Sequence, residues 1–265
     1  MKNLKDVQSE KDTRNIPLKK VGVSDLSWPI KVLDRKKGYQ YTVAEMKISV
    51  DLKHDIRGTH MSRFIEALGN LEMVSPKALE KALDNLKKSL EAEVSHIEME
   101  FPYFIWKESP KSKKLSPMRV DCKILAEKKD EFSLIIGVKV PIHTLCPCSK
   151  EISDFGAHNQ RAYVDIMVKS RKLIWFESLV EIAEKSASSP VYTLLKRTDE
   201  KFVTESAFMN PKFVEDVARD VAIVLERDDR IEWYRVEVVS MESIHNHNTF
   251  ACIEKGWVNA SEVDE

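Results

Sequence analysis

Leu134-Ile135-Ile136-Gly137-Val138-Lys139-Val140 and Ala162-Tyr163-Val164-Asp165-Ile166-Met167-Val168 enclose the loop 141–161. Leu134, Ile136, Val138 and Val140 alternate with their neighbours, as do Ala162, Val164, Ile166 and Val168. That is the period of strands with one buried face. The loop between them reads Pro-Ile-His-Thr-Leu-Cys-Pro-Cys-Ser-Lys-Glu-Ile-Ser-Asp-Phe-Gly-Ala-His-Asn-Gln-Arg. It gathers Cys146, Cys148 and His158 beside Lys150 and Arg161, with turn signals at Ser153-Asp154 and Gly156.

A soft thiolate and an imidazole on one loop suit zinc or iron better than magnesium or calcium. Closed structural zinc cages use paired Cys-x-x-Cys knuckles, and the sequence has none. Cys122 and Cys252 fall in apolar alternating runs and are read as small core residues. What remains is an open site in which one cysteine and one histidine hold a metal with help from a distant carboxylate or imidazole, and open positions mark catalytic metals. The bland alternative is a loop with one buried thiol, one exposed thiol and a surface histidine. A second cluster follows Glu242: His245 and His247 are two apart between strand-like segments, and an extended chain points such a pair the same way. A polar hairpin is the competing reading there.

Outward from the loop the pattern repeats. Upstream, alternation from Trp28 to Val32, a turn at Asp34–Gly38 and strict alternation of Met46, Ile48, Val50 and Leu52 predict a hairpin. Two helices follow, one around 62–68 stopped by Gly69, and one entered through Ser75-Pro76 with Leu79, Ala82, Leu83, Leu86, Leu90 and Val94 on one stripe. Strands at Ile97–Phe101 and Met118–Ile124 complete the set. Downstream of the cysteine loop come a helix over 174–185, a connection over 186–209, and a helix capped by Asn210-Pro211 that buries Val214, Val217, Ala218, Val221, Val224 and Leu225. Strands over 232–241 and 249–254 close the chain. The same order twice predicts an α+β protein of two ββααββ units, 26–129 and 130–265, divided at the charged break Glu127–Asp130. Residues 1–25 are polar and aperiodic and are expected to form an arm.

The 265 residues carry 42 basic and 43 acidic side chains, a balance that gives no sign of a nucleic-acid or anionic-membrane partner. No long apolar run and no signal-peptide core are present, so a cytoplasmic protein is expected. Four cysteines suit a reducing compartment. There is no Gly-x-x-x-x-Gly-Lys-Ser/Thr loop. His96-Ile97-Glu98 mimics the His-x-Glu of zinc deaminases, but their Pro-Cys-x-x-Cys is missing.

The run Leu145–Ser153 with Gly156–Arg161 closely resembles the GTP cyclohydrolase type IB family. So do Gly58-Thr59-His60-Met61-Ser62-Arg63-Phe64, Asp199-Glu200, Asn210–Asp216 and Glu242–Asn248. The likeness covers nearly the whole chain from about residue 20. It implies two tandem tunnelling-fold units in an oligomer, a homotetramer, with active sites at subunit boundaries. It further implies one divalent metal per site, zinc, ferrous iron or manganese, on Cys146, His158 and Glu200. Without the resemblance, Thr198–Lys201 reads as a solvated charge run.

The same resemblance makes Glu215 the carboxylate that holds the guanine ring, against the plain reading of a Glu215–Arg219 helix-surface ion pair. Read from the residues, His245 and His247 are candidates for proton transfer, or one of them for the metal. Cys148, too close to Cys146 across Pro147 to share its ion, is either a support to the metal site or purely structural. Lys150, Arg161, Arg63, Lys196 and Arg197, with His60 across a subunit boundary, are candidate cations for the triphosphate. The implied reaction converts GTP and water to 7,8-dihydroneopterin triphosphate and formate, feeding tetrahydrofolate and the deazapurine tRNA base queuosine. The rivals are a related enzyme with a cyclic-phosphate product and a non-catalytic zinc-stabilised oligomeric module.

Overall fold

The computed structural model describes residues 6–8, 10–69 and 71–256. The chain is α+β and clusters into two compact units, residues 1–102 with 123–135, and residues 103–122 with 136–265. It does not divide at a single break near Glu127–Asp130. It passes between units three times, at 102/103, 122/123 and 135/136, each time inside a strand.

The first unit opens with β1 (Leu18–Asp34) and β2 (Gly38–Leu52), an antiparallel hairpin. Asp34 closes the turn: Oδ1 accepts from the N–H groups of Lys36 and Lys37 at 2.8 and 2.7 Å, and the Gln40 amide donates to Oδ2 at 2.6 Å. Gly38 follows at φ 83°, where a side chain would be strained. Strand β1 reaches back to Leu18, into the stretch read as a polar arm. The reason is physical: its register shifts between Leu18 and Val21 and again between Val23 and Leu26, with Asp25 at φ 55°. Each extra residue breaks the two-residue period that a sequence reading relies on.

Helices α1 (Met61–Leu68) and α2 (Pro76–Leu90) follow. The Ser75 hydroxyl accepts from the Ala78 N–H at 3.3 Å and starts α2, which buries Leu79, Ala82, Leu83 and Leu86. The unit is completed by the first part of β3 (Ser95–Glu108), the end of β4 (Leu115–Lys128) and the start of β5 (Phe132–Leu145).

The second unit holds the rest of β3, β4 and β5, then α3 (Pro147–Ile152), β6 (Asn159–Ser170), α4 (Phe176–Ser186), the short β7 (Ser189–Pro190), α5 (Arg197–Met209), α6 (Val214–Glu226), β8 (Ile231–Ser240) and β9 (Thr249–Glu254). Its strand neighbours run β3-β4-β5-β6-β8-β9, with β7 beside β5. Ala162, Val164, Ile166 and Val168 of β6 are all fully buried, as are Val236 and Val238 of β8. Helix α6 packs on β8 and β9 and buries Val214, Val217, Ala218, Val221, Ala222 and Leu225. Val224, expected on that face, is 43% exposed.

Asn210 ends α5 rather than capping α6, and its amide donates to the Ala187 carbonyl at 2.9 Å. Helix α6 starts three residues later than expected, where the Asp216 carboxylate accepts from the Phe213 N–H at 3.0 Å. Helix α5 lies within the span read as a connection. It buries only Asp199 and Ala207, so its sequence carries no apolar stripe.

Asp199 itself is fully buried, not a solvated charge. Its carboxylate accepts from the Lys111, Ser112 and Lys196 N–H groups at 2.7–2.8 Å and from the Ser112 hydroxyl at 2.6 Å. Burial works to raise its pKa, yet these donors prevail and hold it well below the usual carboxylate range.

Cys122 is a core residue whose thiol pKa burial pushes far up, whereas Cys252 is exposed on β9, contrary to expectation. Among the described residues no helix is long and apolar enough to cross a membrane.

Candidate active site

Three neighbouring strands of the second unit end their buried stripe with a hydrogen-bonding residue. Thr144 continues Val140 and Ile142 on β5, Gln160 precedes Ala162 and Val164 on β6, and Ser240 continues Val236 and Val238 on β8. The three side chains meet: Gln160 Nε2 donates to Ser240 Oγ at 3.2 Å and to Thr144 Oγ1 at 3.5 Å, and the two hydroxyls lie 3.4 Å apart. They form one side of a cavity of about 210 Å³ that Cys146, His158, Lys212, Phe213, Val214, Glu215, Glu242, His245, His247 and Thr249 also line.

Each lining group is set by its element. Cys146 is the residue before α3, with Pro147 at the first helical position, and its Sγ accepts from the Ser149 N–H at 3.4 Å. The loop folds back as expected: the Cys146 N–H donates to the His158 carbonyl at 3.1 Å, which brings the two ends of the cysteine loop together. His158 Nδ1 stands 3.0 Å from Gln160 Oε1 and 3.9 Å from Glu242 Oε2. The other Glu242 oxygen accepts from the Thr249 hydroxyl at 2.9 Å.

His245 and His247 lie on the β8–β9 connection with their rings stacked, 5.2 Å apart and 20° from parallel, and the His245 ring is 6.3 Å from that of His158. Both histidines are exposed to solvent at the cavity. Glu215 stands in the first turn of α6, where the helix dipole favours a carboxylate. Arg219 lies toward Asp216 at 3.9 Å, so the anticipated helix-surface partner of Glu215 is engaged elsewhere.

Cys146, His158, Glu215, His245 and His247 are therefore brought to one cavity. Glu200 is not: it is exposed on α5 beside the buried Asp199, and the carboxylate that does approach His158 is Glu242. Lys150 does not line the cavity; its ammonium donates to the Phe208 carbonyl at 2.6 Å and sits over the Phe208 ring. Arg161 is exposed on β6, next to Gln160. Arg63, which donates to the Ser89 carbonyl at 3.3 Å, and His60, whose Nε2 is 3.2 Å from Asp6, belong to the first unit. Lys212 is the cation in the lining, and its ammonium is paired with Asp220.

The donors suit a borderline divalent metal in type, sulfur from Cys146 and nitrogen from His158. Among the described residues no three His, Cys, Asp or Glu side chains are gathered into a ready ligand cluster. The volume is below the roughly 300–1,000 Å³ of drug-sized sites, so the cavity matches a ring system rather than a whole nucleotide.

Comparison with known proteins bears on the chain as a whole. The family model described as type I GTP cyclohydrolase FolE2 matches residues 4–251. The GTP cyclohydrolase FolE2 of Thermotoga maritima is 66% identical over 253 residues, covering 96% of this chain and 98% of its own. That of Dictyoglomus turgidum is 59% identical over 255 residues, covering 96% and 99%. Among solved structures, the uricase of Arthrobacter globiformis superposes with a TM-score of 0.52 over 97% of this chain and 98% of its own, at 8% identity. That likeness concerns the tunnelling fold alone.

Proposed function

The chain belongs to the type I GTP cyclohydrolase FolE2 family, and from that premise we propose that it is a metal-dependent enzyme converting GTP and water to 7,8-dihydroneopterin triphosphate and formate, toward tetrahydrofolate and deazapurine products. The observation that carries the reading is the convergence of Cys146, His158, Glu215, His245 and His247 on one base-sized cavity.

In this reading Glu215 receives the guanine edge. Its two oxygens accept from the ring N1–H and the 2-amino group, a paired contact to a charged acceptor. Cys146 and His158 would hold a divalent ion, for which zinc, ferrous iron and manganese are all acceptable, and such an ion would supply the Lewis acidity that makes water acidic near neutral pH. The stacked His245 and His247 exchange protons with the ring nitrogens and the sugar from the cavity mouth, a task suited to imidazole. Cys148, free and exposed on α3 two residues from Cys146, is assigned a supporting part at the metal site.

The triphosphate is a handle and needs several cations. Lys150 and Arg161 flank the cavity's elements, and His60 and Arg63 are assigned to the same task from a second copy of the chain in a homotetramer. Closed symmetric assembly is the common outcome for soluble chains with free sheet edges.

Formate release and pterin fluorescence from GTP test the proposal. The wild-type protein is expected to give both and to lose both on chelation while remaining folded. Cys146→Ala is expected to lose bound metal and formate release together, and an active, metal-free Cys146→Ala would refute the assignment. A chelator that unfolds the protein would favour a structural metal instead.

A further inference from the structure

The ring of His158 has two nitrogens, and which one carries the proton decides which can bind an ion. Four contacts bear on this, and all pass through one residue. Gln160 Oε1 lies 3.0 Å from His158 Nδ1 and accepts from the Ser243 hydroxyl at 3.3 Å. Gln160 Nε2 donates to Ser240 at 3.2 Å and Thr144 at 3.5 Å. With the amide nitrogen turned to the two hydroxyls, the amide oxygen is left facing His158, and an oxygen can only accept. Nδ1 must then carry a hydrogen, which in the neutral ring leaves the lone pair on Nε2. Glu242, 3.9 Å from the same Nδ1, adds negative charge on that side.

From this we infer that Gln160 is a positioning residue: it fixes His158 in the Nδ1–H tautomer, leaves Nε2 as the ligating nitrogen, and ties that choice through Ser243 to the connection that carries His245 and His247. The inference deepens the proposed metal site and rests on it. Gln160 is assigned no contact with the ion and acts on it through His158. It acts because the strand ends beneath it hold its amide in one orientation.

The test separates the two readings. In metal-free protein labelled with ¹⁵N-histidine at about pH 8, where neutral imidazole dominates, long-range ¹H–¹⁵N spectra report the tautomer of each ring. A His158→Asn variant identifies the His158 signals by their loss. The wild type is expected to show Nδ1–H at His158. Gln160→Met, close in size but without an acceptor, is expected to give a mixture, with the His54, His60 and His96 signals of the first unit unchanged as a control for folding. Gln160→Glu, which keeps an acceptor and lets the hydroxyls turn to its second oxygen, is expected to restore Nδ1–H.

Zinc affinity should fall about 10- to 100-fold in Gln160→Met and recover in Gln160→Glu. An Nε2–H tautomer in the wild type, or a wild-type tautomer or wild-type zinc affinity in Gln160→Met, would overturn the inference. A wild-type protein that binds no metal refutes the metal site itself, and the tautomer measurement then still decides the part assigned to Gln160.

Discussion

In the proposed reaction, Glu215 is the residue on which substrate selection turns. A carboxylate accepts from two donors of a guanine edge, whereas an amide in its place offers one acceptor and one misplaced donor. Glu215→Gln is expected to lower kcat/KM for GTP about 10- to 100-fold, since hydrogen bonds to a charged group contribute roughly 1.5–3 kcal/mol. The loss should be smaller for inosine triphosphate, which lacks the 2-amino group, and an equal loss for both would remove Glu215 from the guanine edge.

The cavity shows what was legible at this scale. Cys146, His158 and the 245/247 pair announce themselves by residue type. Thr144, Gln160 and Ser240 do not, because a hydroxyl or an amide at a strand end looks like solvent-facing polarity. Their signal was present all the same: each sits two residues beyond a buried aliphatic and so faces inward. The run Thr198–Lys201 hid a different residue, since Asp199, not visibly distinct from its charged neighbours, takes the buried position.

At the level of elements, legibility followed how each element is stabilised. Helix α2 carries a cap, a first-turn proline and an apolar stripe, and it stands where those signals put it. Ser75→Ala removes the side-chain acceptor for the Ala78 N–H and is expected to cost about 1 kcal/mol, roughly 2–4 °C in melting temperature. A melting curve checks it. Helix α5 gave no such warning because it is held through one buried carboxylate, whose partners at Lys111 and Ser112 are 88 and 87 residues away. Contacts that distant leave no period in the local sequence. The early part of β1 was hidden for a third reason, the register shifts that cancel alternation in a strand that is nevertheless paired.

For the molecule as a whole, acid should be the condition that loosens it. Asp199 and Asp34 are buried, burial opposes their ionisation, and backbone and side-chain donors nonetheless hold both pKa values below the ordinary 3.8. A depressed carboxylate contributes stability above its unfolded pKa and loses it as pH falls through the folded value. The melting temperature is therefore expected to drop as pH falls below about 4, and Asp199→Asn should flatten that fall in a thermal scan across pH. The three passages of the chain between its units, all inside β3, β4 and β5, bear on a different kind of experiment. A gene fragment encoding 136–265 carries every residue that lines the cavity, yet it omits 103–122, which belong to the same compact body. The body that lines the cavity is discontinuous in its own gene, so the shortest single fragment that contains all of it, 103–265, also carries residues 123–135 of the other body, stripped of the partners they have there.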